Sequence, residues 1–157
     1  MDYRIRQIKE TELTVLDTFL YEAIFVPEGV EAPAKDIIQR SELQVYVKDF
    51  GRHTGDCCLV AEADGRIVGA VWTRIMEDYG HIDNDTPSFA ISLLKEYRGH
   101  GIGTALMKQM LAELKARGYQ RASLSVQKEN YAVRMYRKLG FEIIRENEEE
   151  FIMVYRL

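Results

Sequence analysis

Three glycines alternate with other residues directly after an arginine, between Arg98 and Gly103 (RGHGIG), and a long amphipathic segment follows them. Glycine is a poor residue for beginning a helix, because each one costs roughly 1 kcal/mol relative to alanine. The first four amides of a helix have no partner within the helix, and its dipole makes that end positive. Bare glycines let an anion approach these amides, and the arginine adds a full charge. The pattern predicts a phosphate-binding loop; the alternative is a tight turn in which the glycines only supply positive φ.

Two common phosphate motifs do not fit this stretch. A P-loop has the form G-x-x-x-x-G-K-[ST], and no Lys-Ser or Lys-Thr pair follows these glycines. A dinucleotide fingerprint has the form G-x-G-x-x-G early in a parallel βαβ unit. Here the run is G-x-G-x-G, late in the chain and after an expected antiparallel hairpin. The spacing therefore argues against both motifs.

The elements around the glycines predict a layered domain. A strand is expected over residues 88–94, directly before the loop, and a hairpin upstream of it turns at Asp64-Gly65. A short helix capped by Asn130 and ended by Gly140 is expected downstream, followed by a terminal hairpin. The helix after the loop has one apolar face, formed by Ile102, Leu106, Met110, Leu111 and Leu114. This order predicts an α/β or α+β fold with a mixed sheet, in which residues 1–157 form a single domain.

A second motif lies about 30 residues beyond the glycines. Residues 136–141 match Y-x-x-x-G-F, Asn130 stands six positions before the tyrosine, and residues 124–126 read LSV. Together with R-x-x-G-x-G over residues 98–103, these motifs resemble the GNAT superfamily of acetyl-CoA-dependent N-acetyltransferases. The pyrophosphate loop of that superfamily has the form R/Q-x-x-G-x-G/A. The resemblance covers roughly residues 59–141, and the N-terminal third only by the order of its elements.

The resemblance implies a GNAT-like fold, with a mostly antiparallel central sheet flanked by helices, and acetyl-CoA as cosubstrate. The pyrophosphate would lie on the backbone amides of the glycine loop, and the preceding strand would offer backbone groups to the pantetheine arm. The residues thus expected to bind the cofactor are Leu93, Leu94, Arg98, Gly99, His100, Gly101, Ile102, Gly103, Thr104 and Asn130. An amine would attack the thioester directly, without an acyl-enzyme, and Tyr136 would protonate the departing sulfur.

Periodicity alone gives Tyr136 a different role. It lies on the same helical row as Val133 and Leu139, and it could pack on Phe141 at the end of the helix. By this criterion Tyr136 is a core residue. The two interpretations can coexist if the ring is packed and the hydroxyl remains accessible.

No general base is evident in the sequence. The loop before the cofactor strand supplies the candidates, which are Glu77, Asp78, His81, Asp83 and Asp85. Such a loop is usually only solvated, and a water relay or an amine that arrives deprotonated would need no base. If the loop faces the acceptor, its carboxylates would suit a cationic amine. The identity of the acceptor is left open, because the N-terminal helices expected to line its pocket carry no recognisable motif.

Composition limits the partners. The net charge of −4 disfavours nucleic acid, and no apolar run reaches the roughly 18 residues of a membrane span. The adjacent Cys57 and Cys58 are expected to be reduced thiols, which favours a cytoplasmic location. His53 and His100 have no partners at metal-ligand spacing, so we expect no metal. A homodimer is one expectation, because dimers are frequent in the superfamily.

The sequence thus predicts an N-acetyltransferase that moves an acetyl group from acetyl-CoA to a primary amine. A non-catalytic acyl-CoA-binding module with the same cleft is the alternative. A nucleotide-binding protein is a third hypothesis, and it would bind ATP or NAD in competition with CoA.

Overall fold

A computed structural model of the protein describes residues 1–76 and 81–157. The strands are β1 (Arg4–Gln7), β2 (Cys57–Ala63), β3 (Arg66–Arg74), β4 (Ser88–Leu93), β5 (Arg121–Gln127), β6 (Glu142–Glu146) and β7 (Glu150–Arg156). The α-helices are α1 (Val15–Glu22), α2 (Ser41–Gln44), α3 (Ile102–Ala116) and α4 (Ala132–Leu139). No helix in this part of the chain is long and apolar enough to cross a membrane.

The strands form one sheet in the order β1-β2-β3-β4-β5-β7-β6. Every neighbouring pair is antiparallel except β4 and β5, which are parallel. The fold class predicted from the sequence, a mixed and mostly antiparallel sheet flanked by helices, is confirmed. The predicted hairpin turn is also present, since Asp64 and Gly65 have φ of 52° and 76°, which is typical of a type I′ turn.

Both faces of the sheet carry a hydrophobic core. In β2 the side chains alternate between the faces: Cys57 and Leu59 pack on the side of α3 and α4, whereas Cys58 and Val60 pack on the side of α1. Both cysteines are free and buried, and burial raises the pKa of both thiols. The thiols are therefore core groups with low reactivity.

The sheet is split between β4 and β5. These strands share one ladder pair, Ser88 with Ser123, and the amide of Ser123 also donates to the carbonyl of Pro87 at 2.9 Å. Beyond this point the described residues contain no further pairing between the two strands. The edge of β4 that faces β5 is therefore without a strand partner over residues 89–93. The split opens toward the carboxyl ends of both strands, where the glycine loop and α4 begin.

A buried ion pair fixes the segment between α2 and β2 to the sheet. The side chains of Arg74 and Asp56 are 4% and 1% exposed, and Nε of Arg74 lies 2.8 Å from Oδ1 of Asp56. Arg74 also donates to the carbonyls of Val45 and Lys48, at 3.1 and 2.7 Å. Burial alone would raise the pKa of Asp56, but hydrogen bonds from Arg74 and from two backbone amides outweigh it and hold this pKa below its usual value.

Candidate active site

A cavity of about 800 Å³ lies where β4 and β5 separate. It is lined by the end of α1 and the chain after it, the end of β4, the glycine loop and the start of α4. The predicted site residues that line it are Leu93, Arg98, Gly99, Gly101, Gly103, Thr104, Asn130 and Tyr136. The fold therefore brings the two sequence motifs together around one cavity.

The three glycines of the loop differ in conformation. Gly99 and Gly101 have φ of 78° and 82°, a region that glycine adopts readily, so the turn itself accounts for these two. Gly103 has no positive φ, and a Cβ there would only make ordinary contacts of 3.7 Å with Leu93 Cδ1 and Met135 Sδ. The protein fold does not require glycine at position 103. A ligand lying close to the backbone would explain why no large side chain stands there.

The amides of the loop are available to such a ligand. Within residues 1–76 and 81–157, no protein group accepts a hydrogen bond from the amides of residues 99–104. The first backbone hydrogen bond of α3 runs from the amide of Ala105 to the carbonyl of Gly101, at 3.1 Å. Six successive free amides thus stand at the positive end of a 15-residue helix. This arrangement suits a phosphate group, and Lys95 adds a cation to the same cavity.

Arg98 lies beside these amides but is already engaged. Its Nε donates to the carbonyl of Leu93 at 3.1 Å, and its Nη2 lies 3.2 Å from Oε2 of Glu22. The guanidinium therefore joins the glycine loop to the end of α1. It retains donors for an anion, because an arginine has five N–H groups.

Three predicted cofactor residues do not line the cavity: Leu94, His100 and Ile102. The amide of Leu94 donates to the carbonyl of Val68 at 2.9 Å, so it is not free for a ligand. The side chain of Ile102 is fully buried on the core-facing side of α3, and that of His100 is exposed. His100 and Ile102 can therefore take part only through their backbone amides.

The sequence predicted Asn130 as the N-cap of α4; it lies one residue before the N-cap, Tyr131, and its side chain still holds the start of the helix. Its Oδ1 accepts a hydrogen bond from the amide of Ala132 at 2.9 Å, and Tyr131 between them already has helical dihedrals of −60° and −20°. The side-chain oxygen of Asn130 is thus committed to the helix. Its amide nitrogen is the part of the side chain left for a ligand.

Tyr136 combines both roles considered for it. Its ring packs on Phe141, with centroids 5.9 Å apart, and the carbonyl of Tyr136 accepts from the amide of Phe141 at 3.0 Å across the left-handed Gly140. This is a Schellman ending of α4. The residue also lines the cavity, and its hydroxyl has no hydrogen-bond partner among the described residues. Burial, with a smaller effect of Tyr131, raises the pKa of Tyr136 above its usual value, so the hydroxyl stays protonated near neutral pH.

The acidic loop predicted as a source of the general base contributes no described residue to the cavity. The carboxylate of Asp83 accepts from the hydroxyl of Thr86 and the amide of Asp85, both at 2.8 Å, and pairs with Arg121. Asp83 therefore orders its own loop beside the start of β5. His81 and Asp85 do not line the cavity either. The remaining two candidates, Glu77 and Asp78, lie outside the described residues.

The sequence predicted that the N-terminal helices would line a pocket, and the end of α1 with the apolar segment after it lines this cavity. It did not single out Glu22 or Lys95, which line the cavity as well. No local motif marks them, because their position depends on how α1 packs across β4. One contact that fixes this packing is the hydroxyl of Ser92, which donates to the carbonyl of Phe19 at 2.7 Å. In the described part of the chain, no cluster of three or more His, Cys, Asp or Glu residues could hold a metal.

Comparison with known proteins identifies the family of the chain. The family model for the acetyltransferase (GNAT) family matches residues 20–141. The chain is 29% identical over 108 residues to human N-acetyltransferase 8B, covering 68% of this chain and 48% of that protein. It is 33% identical over 88 residues to mycothiol acetyltransferase of Thermobifida fusca, covering 54% and 27%. The chain thus spans less than half the length of these two relatives.

The fold agrees with a solved structure over its whole length. PaiA N-acetyltransferase from Thermoplasma acidophilum, crystallised in complex with coenzyme A, superposes with a TM-score of 0.74 at 20% identity, covering 100% of both chains. This likeness shows the shared fold. Because the family model spans most of the chain and the predicted motifs face one cavity, the protein belongs to the GNAT acetyltransferase family.

Proposed function

We propose that the protein is an N-acetyltransferase that transfers an acetyl group from acetyl-CoA to a primary amine by direct attack. One observation carries this proposal: six free backbone amides, at residues 99–104, and the unpaired hydroxyl of Tyr136 belong to segments that line the same split in the sheet. The amides suit the phosphates of the cosubstrate, and the hydroxyl suits its leaving group.

The residues fit a CoA-shaped ligand along the length of the cleft. The amides of the glycine loop, with Arg98 and Lys95 alongside, would hold the pyrophosphate. The unpaired edge of β4, ending at Leu93, would hydrogen-bond the amide groups of the pantetheine arm as a neighbouring strand would. Asn130 would contribute through its side-chain nitrogen. Binding in this way fixes the thioester near Tyr136 and so removes much of the entropic barrier to its reaction with an amine.

The bound cosubstrate supplies an activated acetyl thioester, and the remaining requirements fall to the protein. The amine nitrogen donates its lone pair to the carbonyl carbon, a C–N bond forms, and the C–S bond breaks with both electrons leaving on sulfur. The nitrogen loses one proton to water or to a base, and the sulfur gains one. The products are an N-acetylated amine and the free thiol.

Tyr136 is proposed as the acid for the departing sulfur. Because burial raises the pKa of Tyr136, the hydroxyl is present in its protonated, hydrogen-donating form. An ordinary thiol has a pKa of about 8.5, lower than that of this phenol. Tyr136 therefore first stabilises the developing thiolate through a hydrogen bond. When its proton passes to the sulfur, water returns a proton to the phenolate. The tight packing on Phe141 keeps the hydroxyl in place for this task.

The alternative, a non-catalytic acyl-CoA-binding module, would need the glycine loop but not the free hydroxyl. Replacing Tyr136 by phenylalanine separates the two. An enzyme should lose turnover while it still binds CoA in calorimetry, whereas a binding module has no turnover to lose. Competition of ATP for the CoA site would instead support a nucleotide-binding protein.

Two broader expectations belong to this proposal. We propose that residues 1–157 act as one acetyltransferase domain in the cytoplasm, where the free thiols of Cys57 and Cys58 would stay reduced. A homodimer is proposed as its assembly, and the molecular mass measured by light scattering tests this.

A further inference from the structure

Glu22 is the one carboxylate among the described residues that line the cavity. It is the last residue of α1, and its side chain is 26% exposed. Arg98 contacts only Oε2, at 3.2 Å, while Oε1 has no hydrogen-bond partner within residues 1–76 and 81–157. A carboxylate can accept about four hydrogen bonds, so Glu22 keeps the capacity to bind a second cation.

The chain after Glu22 forms an apolar wall of the cavity. The side chains that compose this wall are Ile24, Phe25, Val26, Val30 and Pro33. Val26 and Val30 are 36% and 57% exposed, so this wall leaves contiguous apolar surface open to a ligand. The hydroxyl of Tyr21 donates to the carbonyl of Pro33 at 2.6 Å, so the two ends of the segment are tied together. The wall is therefore folded in place, and the hydroxyl of Tyr21 is engaged in holding it.

Charge limits the ligand that this part of the cavity can take. The charged side chains that line it are Glu22, Lys95 and Arg98, which sum to a single positive charge. In the loaded protein Lys95 and Arg98 face the phosphates, so Glu22 is the carboxylate left for a cationic ligand among the described lining residues. It can balance only one of the several positive charges of a polyamine. A ligand with one ammonium matches Glu22, and an apolar group attached to it matches the wall.

We propose that the acetyl acceptor is a primary amine attached to an apolar group. Glu22 pairs with the ammonium through Oε1 when the acceptor binds, and the apolar wall covers the attached group. The nitrogen then gives one proton to water and attacks as the neutral amine. This inference rests on the proposed acetyl transfer, because that reaction is what makes the bound amine an acetyl acceptor. The binding of the amine is measurable without turnover. Glu22 is thus a residue that determines specificity for the acceptor.

The test is calorimetric titration of the CoA-loaded protein with three probes: 2-phenylethylamine, its neutral analogue 2-phenylethanol, and spermidine. We expect the monoamine to bind at least tenfold more tightly than the other two. In E22Q the affinity for 2-phenylethylamine should fall at least tenfold, to that of 2-phenylethanol. In V30S it should fall severalfold, with the affinity for CoA unchanged. The matched control is E28Q, because Glu28 lies on the same segment, is exposed and does not line the cavity.

The inference is overturned if 2-phenylethylamine fails to bind the loaded wild type, if spermidine binds more tightly, or if E22Q binds the monoamine as the wild type does. Acetylation of 2-phenylethylamine by acetyl-CoA is assayed separately. Binding that depends on Glu22 without any acetylation contradicts the proposed function and supports this inference. If E22Q acetylates 2-phenylethylamine as fast as the wild type, the result supports the proposed function and contradicts this inference.

Discussion

Replacement of Gly103 by leucine should greatly weaken CoA binding without lowering the stability of the fold. Gly103 is the second residue of α3 and has no positive φ, so a side chain meets no backbone strain there. Its Cβ would lie 3.7 Å from Leu93 Cδ1 and from Met135 Sδ, and both of these residues line the cavity. The remainder of a leucine side chain must therefore extend into the space assigned to the phosphates.

The size of the effect follows from the amides that would be blocked. A hydrogen bond to a charged group contributes about 1.5–3 kcal/mol, so the loss of two such bonds weakens binding by about 3 kcal/mol or more. That corresponds to a rise of at least about 100-fold in the Kd for CoA. Stability should change in the opposite direction, because leucine exceeds glycine in helix propensity by up to about 1 kcal/mol. For a chain of this length, the melting temperature should then rise by about 2–4 °C.

Two further variants provide the controls. Gly103→Ala should show a similar rise in melting temperature with CoA affinity retained, because a methyl group makes only ordinary contacts and the family motif allows alanine here. Gly101→Ala should instead destabilise the protein by about 1–2 kcal/mol, because residue 101 has φ of 82°. Together the three variants separate the conformational role of a glycine from its role in leaving space for a ligand.

The assay is calorimetric titration with CoA, paired with thermal unfolding of each variant. If Gly103→Leu binds CoA with an unchanged Kd while its melting temperature matches or exceeds that of the wild type, the phosphates do not lie on these amides. The glycine run would then be only a turn.

The other predictions concern Tyr136 and the buried ion pair. Tyr136→Phe should lower kcat by about 100-fold or more with the Kd for CoA within twofold of wild type, and equal turnover would remove the proposed acid. Because the pKa of Tyr136 is raised, ionisation of Tyr136 should cause no loss of kcat/KM up to about pH 10, and the dependence of rate on pH checks this. Asp56→Asn should lower the free energy of unfolding by about 3–5 kcal/mol, since it leaves Arg74 buried without its partner. Glu96→Gln, at an exposed ion pair, should leave the free energy of unfolding nearly unchanged. Because the folded-state pKa of Asp56 is depressed, the stability that its carboxylate contributes is present above about pH 4 and is lost as the pH falls below that. In denaturant unfolding, the destabilisation caused by Asp56→Asn should therefore become smaller in acid.

Local signals explain why most elements of the fold could be predicted. The Asp64-Gly65 turn, the glycine that ends α4 and the apolar face of α3 each depend on a few neighbouring residues. The segment before β2 is less regular than the N-terminal helices that the sequence predicts. It contains a 3₁₀ helix, Lys35–Gln39, the single turn of α2, and further turns up to a positive φ at Gly51. Long-range contacts stabilise this segment, such as the hydrogen bond from Trp72 Nε1 to the carbonyl of Tyr46, and local propensity cannot reveal them.

The split in the sheet could not be read from the sequence without the family resemblance. It arises because β4 and β5 are joined by α3 and pair at only one position, which is a property of packing across a long connection. For the same reason, the sequence could not show which residues of α1 face the split. Counting carboxylates favoured the loop containing Asp83, but Asp83 is held by Arg121, whereas Glu22 keeps a free oxygen in the cavity. Which acidic group keeps an oxygen free for a ligand depends on tertiary partners that have no signature in the sequence.

The central claim is most directly tested by incubating the protein with acetyl-CoA and a primary amine such as 2-phenylethylamine, with thiol release and product mass both recorded. We predict thiol release that requires the amine, formation of an equal amount of N-acetylated product, and loss of both in Gly103→Leu. If the protein binds acetyl-CoA but releases no thiol with any member of a broad panel of primary amines, it is a binding module and the proposed transferase activity is wrong.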